Sequence, residues 1–263
     1  MLVPSLGVKK IQVVGLVLSI VGLGPIVGAV YYWVLRYTAA RRMLRLTLRG
    51  PIDFVVTTST VHTSSPAQGP GIRRPLTGVG QVQGVAFGSK AIGELYRRKE
   101  IRVHLSVEVR NRLDEDMLLL GGPVRNKVTR QALELLNASR ATTILFDDVH
   151  GKIRLPAKGL AIDMEIDVSL MARVPEQDIG LALFASNPFT DKPRRFILCC
   201  GITSYGTAAI SEYLFEVILA NKYLVPRDIR RVARLGGIYG FVARVSMSSG
   251  RAVMFYDIRW FEC

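Results

Sequence analysis

Apolar and polar positions divide this chain into distinct regimes. From Ile11 to Leu35 no charged residue occurs, a run longer than the roughly 20 residues that carry a helix across a bilayer. Beyond it, "IDFVVTTST" from Ile52 is β-branched and apolar, the pattern of a strand covered on both faces. After a Ser-, Pro- and Gly-rich loop from Thr63 to Gly80, a helix is predicted over Gln81–Lys99 with Val82, Val85, Ile92 and Tyr96 on its packed face. Gly84, Gly88 and Gly93 weaken that helix and predict close packing against a neighbour. "IRVHLSVEV" alternates so that Val103, Leu105 and Val107 share one side. Met117–Leu120 reads as a strand that runs through glycines into a helix over Asn126–Asn137. "TTILFDD", "KIRLP", "AIDMEIDV", "DIGLALFA" and "RRFILCC" read as further strands. A long apolar helix (Thr207–Ala220), a basic helix (Pro226–Leu235) and a hairpin around "SSG" close the chain.

Strands alternating with helices predict an α/β fold. The expected order is an N-terminal transmembrane helix, then a Rossmann-like, largely parallel sheet with helices on both faces, then an antiparallel C-terminal hairpin. Residues 1–10 form a short tail, 11–36 the span, 37–50 a basic juxtamembrane helix or linker, and 51–263 the α/β domain. No repeat of 20–50 residues is visible, which argues against a solenoid.

The apolar run has three readings. A cleaved signal peptide would show a shorter core and an A-x-A-like site, which "YTAARR" matches poorly. A core helix would be weakened in water by Gly15, Gly22, Gly24, Gly28 and Pro25, residues that membrane helices tolerate. A true span is therefore expected, with Tyr31, Tyr32, Trp33 and Tyr37 as an interfacial belt. "GPIVG" supplies the small-xxx-small spacing of a homo-oligomer. Lys9 and Lys10 precede the run, whereas Arg36, Arg41, Arg42, Arg45 and Arg49 follow it. This excess predicts a cell-membrane protein with its C-terminal domain in the cytoplasm; an external domain remains the alternative. Cys199 and Cys200 are adjacent in one apolar strand, and no disulfide or zinc spacing is present. The single sequon at Asn137 decides nothing.

With 35 Lys and Arg against 21 Asp and Glu, the net charge is +14. The basic residues are scattered and lack interleaved aromatics, which argues against nucleic acid. Anionic headgroups near Arg41–Arg49 are the expected partner. In "RDIRRVAR", Arg227, Arg230, Arg231 and Arg234 read as a solvated helix face.

Two corners could carry chemistry. In "LLLGGPVRN" and "ILCCGITSYGTAAI" an apolar strand ends in glycine and a helix follows, the place where open α/β sheets bind ligands. Helix N-termini there offer free N–H groups to an anion. Gly121, Gly122, Pro123, Asn126, Gly201, Ser204, Gly206 and Thr207 are the candidate ligand-binding residues, although the same glycines also serve tight turns that bind nothing. Gly201 and Gly206 have P-loop spacing, but Thr207 stands where the phosphate-binding lysine belongs. "GVGQVQG", Gly78–Gly84, is one residue off the dinucleotide fingerprint. His62, His104 and His150 lie far apart, and no metal-ligand spacing or named cofactor emerges. Glu94, Asp147 and Asp148 are the carboxylates considered for acid chemistry. Asp163, Glu165 and Asp167 share one strand face and read as solvated.

Taken in order, "LLLGGPVRN", "DIGLALFASNPF" and "ILCCGITSYGT" resemble a family of poorly characterised prokaryotic proteins with LLGGPxxN, NPF and GxxxxGT motifs. "GIRRPLTGVGQVQGVA" is similar to that family's glycine-containing entry to its first helix. The resemblance covers roughly residues 52–219 and implies a Rossmann-like fold but no activity. A fainter likeness to archaeal surface-layer domains implies an external orientation. The functional expectation is a membrane-anchored domain binding a small anionic ligand, such as a nucleotide, for sensing or assembly. The alternatives are an enzyme cleaving nucleotide or glycosidic bonds and a ligand-free structural protein of the cell envelope.

Overall fold

The computed structural model describes residues 6–61, 74–109, 113–139, 143–147, 149–155, 161–167 and 175–263, with the backbone path alone for 6–24, 59–61, 74–76 and 222. The loop expected over 63–80 therefore falls mostly outside the described residues, as do His62 and Asp148. One helix, α1 (Leu6–Leu44), carries Pro25 in its interior and leads into the domain. Among the described residues no helix is long and apolar enough to cross a membrane. The part of the apolar run that precedes Pro25 has no described side chains.

The first strand, β1 (Ile52–Val56), is followed by a small hairpin, β2 (Ser59–Val61) and β3 (Arg74–Leu76), and then by α2 (Val79–Leu95). Next come β4 (Ile101–Leu105), β5 (Asp116–Leu120) and α3 (Lys127–Ala138). A meander follows, β6 (Leu145–Asp147), β7 (Lys152–Leu155) and β8 (Ile162–Glu165), and after it β9 (Gln177–Ser186) and β10 (Arg195–Gly201). The chain ends with α4 (Ser204–Glu212), which runs on as a π-helical segment (Tyr213–Ile218), then α5 (Arg227–Leu235), β11 (Tyr239–Ser248) and β12 (Arg251–Glu262).

Seven strands form one sheet in the order β12-β11-β9-β10-β5-β1-β4. β4, β1, β5 and β10 are mutually parallel. β9, β11 and β12 each run antiparallel to the strand before them in space, so β11 again points along β10. The sheet is thus largely parallel and ends in the expected C-terminal hairpin. The sequence did not distinguish β9 from its parallel neighbours. The short "NPFTDKP" link allows only a hairpin between β9 and β10, because a parallel connection needs a crossover of a dozen or more residues.

Side-chain alternation splits the core. Phe54, Val56, Leu118 and Leu120 point to a face covered by α2, α4, α5 and the end of α1. Val55, Met117, Leu119 and Leu198 point to the other, covered by α3 and the meander. The strands "TTILFDD", "KIRLP" and "AIDMEIDV" therefore build a separate three-stranded sheet that packs over the large one. Their half-buried alternation, as in Ile162 and Met164 inward against Asp163 and Glu165 outward, suits a cover with one wet face.

Two helical expectations need correction. The packed face of α2 consists of Gly80, Gln81, Gly84, Gly88, Ala91, Ile92 and Leu95, while Val82 is 54% exposed. Of the four residues expected on that face, Ile92 and Tyr96 are buried and Val85 packs against the core, whereas Val82 points outward; the glycines complete the contact, which a pattern scored on apolar side chains does not register. The basic stretch 37–50 also packs into the domain: Ala40, Met43, Leu44 and Leu46 are buried. Tyr37, expected in an interfacial belt, donates its hydroxyl to the Glu94 and Leu95 carbonyls at the end of α2, each at 2.7 Å.

Behind that docking lies a buried polar hub. Lys99 Nζ and Asp116 Oδ2 stand 2.8 Å apart, both side chains fully buried. The same Asp116 oxygen accepts from Thr47 N at 2.8 Å and from the Thr47 hydroxyl at 2.6 Å, and Oδ1 accepts from Arg195 N at 2.8 Å. Lys99 also donates to Thr47 O at 2.9 Å. The chain leaving α1 is thereby locked to the beginning of β5.

Candidate functional site

The two predicted corners lie side by side. Leu120 pairs with Val56 on one flank and with Cys199 on the other, so β1, β5 and β10 end on a common rim. Gly121 N donates to Cys199 O at 3.0 Å, joining the glycine turn after β5 to β10.

At the first corner, Gly121 takes φ +104°, and a Cβ there would stand 2.0 Å from Thr57 Oγ1. Glycine is required by both conformation and space. Asn126 caps α3: its Oδ1 accepts from Val128 N and Thr129 N, and its Nδ2 donates to Val55 O and Leu120 O. These four bonds engage the whole amide. Pro123 is half-buried at the turn.

At the second corner an internal carboxylate occupies the helix N-terminus. Asp178, on β9, accepts at Oδ2 from Gly206 N at 2.9 Å, from Thr203 N at 3.2 Å and from the Thr203 hydroxyl, and at Oδ1 from Ile179 N at 2.7 Å. Burial pushes its carboxyl up to about 6, against the pull of these donors. Gly206 is small because a Cβ would meet the Asp178 carboxylate at 2.4 Å. The Thr207 hydroxyl accepts from Gly201 N at 3.0 Å and donates to Thr203 O at 3.3 Å. Asp178 sits where the sequence reading placed a ligand's anion.

A third helix start on this rim is differently equipped. Among the described residues α2, N-capped by Gly78, has no side-chain cap; Gln81 N donates to Gly78 O at 3.0 Å, and the N–H groups before it have no intrahelical partner. Gln81, 6% exposed, has an Oε1 without a hydrogen-bond partner among the described residues, and so does Thr77 Oγ1. The Gln81 amide lies between the two glycine segments. Its Nε2 is 3.2 Å from the position a Cβ on Gly121 would take, and its Oε1 is 2.3 Å from that of Gly78. α2 reaches this place by close backbone contact with α4: a Cβ on Gly80 would fall 1.5 Å from Ser204 O.

Topology singles out the same spot. From β1 the chain moves one way to β4, then crosses to the opposite side of β1 for β5 and on to β10. The reversal falls between β1 and β5, the switch point at which open α/β sheets bind ligands. Thr57 and Gly121 mark its floor, and the start of α2 stands beside it.

The carboxylates considered for catalysis are occupied or dispersed. Asp147 accepts from Val149 N, His150 N and the His150 ring, and the His150 backbone bond, with the ring bond next, holds its carboxyl below the usual range. Glu94 is exposed on α2. Asp163 and Glu165 pair across the meander with Arg154 and Lys152. His104 faces Asp53 at 3.2 Å on the β4 edge. Among the described residues no group of His, Cys, Asp and Glu could hold a metal ion.

No protein-family model, curated protein or solved structure matches this chain. Functional inference therefore rests on the site itself.

Proposed function

We propose that the chain is a single-pass membrane protein whose α/β domain binds a small phosphorylated, hydroxyl-bearing ligand, a nucleotide foremost, at the crevice between β1 and β5. Binding serves sensing or assembly. The supporting observation is the pair of buried oxygens, Gln81 Oε1 and Thr77 Oγ1, that have no partner among the described residues, beside the start of α2, which none of those residues caps with a side chain. A helix start of this kind attracts a phosphate. An amide oxygen cannot receive a phosphate oxygen, but it accepts from a ribose hydroxyl or an exocyclic amine. One ligand carrying both groups satisfies the whole set. The turn Gly201–Thr207, with Asp178 beneath it, holds Ser204 as the seat of α2.

Membrane anchoring is supported by the uncharged run from Ile11 to Leu35 and by Ile26, Val27, Val30, Tyr31, Tyr32 and Trp33, all exposed on α1. Surface of that kind on one helix calls for an apolar cover. The positive flank after the run supports a cytoplasmic domain.

The test is thermal unfolding of the full chain in detergent against a panel of nucleotides and sugar phosphates. A ligand at a hundred times its Kd stabilises by about 2.7 kcal/mol, a rise of roughly 5–10 °C in a domain of this size. Gln81→Leu removes the buried unpaired oxygen, so it raises the apo melting temperature while abolishing the ligand response. A flat panel, or an unchanged response in Gln81→Leu, refutes the proposal.

A further inference from the structure

A cavity of about 400 Å³ lies between the end of α1 and α5. Its floor is apolar, formed by Leu35, Ala39, Met43, Leu219, Val225 and Ala233. Its rim carries Arg42 from α1 and Arg227, Arg230 and Arg234 from α5, and among the described residues no acidic side chain lines it. Among the described residues none of these four guanidinium groups enters a salt bridge. The positions 227, 230 and 234 recur at helical spacing, so three arginines of "RDIRRVAR" share one face while Arg231 stands outside the cavity. Other arginines of the positive flank are committed internally. Arg41 Nε caps α2 through Leu95 O at 2.7 Å, and Arg45 Nη1 caps α5 through Arg234 O at 2.7 Å.

We infer that this cavity is a binding site for an anionic phospholipid of the bilayer that α1 enters. The inference rests on the membrane-anchor reading above. The arginine rim matches a phosphodiester, which guanidinium binds in bidentate fashion. The apolar floor runs up α1 to Leu35, the last residue of the uncharged run, so an acyl chain held there continues toward the membrane. A soluble phosphate would leave that floor uncovered. The volume lies within the roughly 300–1,000 Å³ of small-ligand sites and suits a headgroup with the start of one chain.

The experiment reconstitutes the full chain in vesicles of phosphatidylcholine alone or with one-third phosphatidylglycerol, then extracts it gently and reads retained lipid by native mass spectrometry. Phosphatidylglycerol should be retained selectively. Each basic residue at an anionic surface contributes about a fivefold preference, so the double variant Arg230→Gln/Arg234→Gln should lose retention about 25-fold, and Arg231→Gln should not. Ala39→Trp, which fills the cavity and keeps every charge, should lose it too, so the inference stays testable if the double variant fails to fold. Equal retention of phosphatidylcholine, an effect of Arg231→Gln as large as that of the double variant, or displacement by millimolar inorganic phosphate overturns the inference. Resistance to carbonate extraction is scored separately. A protein that carbonate strips from both vesicles refutes the anchor and the lipid site together, whereas a resistant protein without lipid selectivity refutes the lipid site alone.

Discussion

A single substitution, Gly→Ala, should change sign along one helix. At Gly93 a Cβ would meet nothing within 4 Å, whereas at Gly88 it would lie 2.8 Å from Leu118 Cδ2 and 3.1 Å from Phe54 Cε2, and at Gly80 1.5 Å from Ser204 O. Alanine gains about 1 kcal/mol over glycine in a helix interior. Gly93→Ala keeps that gain and should raise the melting temperature by roughly 2–4 °C. Gly88→Ala sets the gain against an overpacking cost of about 1–3 kcal/mol that Leu118 and Phe54 can absorb in part. Gly80→Ala meets backbone, which no rotamer change relieves. α2 must then withdraw from α4, and a net loss of at least about 2 kcal/mol follows, the upper part of the overpacking range less the helix gain. Thermal unfolding of the three full-length variants in one detergent gives the order Gly93→Ala above wild type, wild type above Gly88→Ala, and Gly80→Ala lowest. If Gly80→Ala melts with or above Gly93→Ala, α2 does not sit on the α4 turn, and the crevice built by that contact is not there.

Other parts of the molecule give equally direct expectations. Lys99→Met leaves the fully buried Asp116 carboxylate without its cation and should cost about 3–5 kcal/mol in chemical denaturation. Lys99→Met/Asp116→Asn should recover a large share of that loss. Asp178 has a folded-state value of about 6 against 3.8 for the ordinary carboxyl, so folding favours its neutral form. Its contribution is full below about pH 4 and is lost as pH climbs through 6, a change of roughly 3 kcal/mol. Melting of wild type relative to Asp178→Asn between pH 4.5 and 7.5 should fall accordingly, and a difference that rises with pH contradicts the assignment.

Legibility from sequence followed the range of the interactions involved. The β5–α3 corner was readable because its strand, glycines and capping Asn126 lie within about a dozen residues and act on one another. The β11–β12 hairpin was readable for the same reason, its turn marked by Ser249 and Gly250 at positive φ. Asp178 was not, since its partners Thr203 and Gly206 are 25 and 28 residues away and nothing local separates it from a solvated strand end. The roles of Arg41 and Arg45 were hidden likewise, because the carbonyls they cap are 54 and 189 residues distant. α2 was legible in part: Val85, Ile92 and Tyr96 pack on the core as their spacing predicted, but the glycine share of the contact was not, because hydrophobic periodicity gives glycine no weight. The rim itself followed from strands ending in glycine before helices, but which helix start stays uncapped depends on Asp178 and Asn126 closing the other two.

The placement of the two proposed sites follows from the direction of α2. Its amino end lies at the carboxyl ends of β1 and β5, and its carboxyl end meets Tyr37 and Arg41 of α1 at the opposite rim. Seventeen residues of helix separate the two ends, roughly 25 Å at 1.5 Å per residue. α1 therefore joins the domain at the end farthest from the crevice, and the Lys99–Asp116–Thr47 hub fixes it there without a pivot. A bilayer around the uncharged part of α1 is adjacent to the arginine cavity and remote from Gln81. On the two proposals, lipid belongs to the arginine cavity near α1 and the nucleotide to the Gln81 end of α2. β5, wholly buried between hub and glycine turn, is a close-packed and stiff connection between them. Any response to the nucleotide is then expected at the crevice rim, where α2, the Gly121 turn and Ser204 meet, rather than in the angle between domain and anchor.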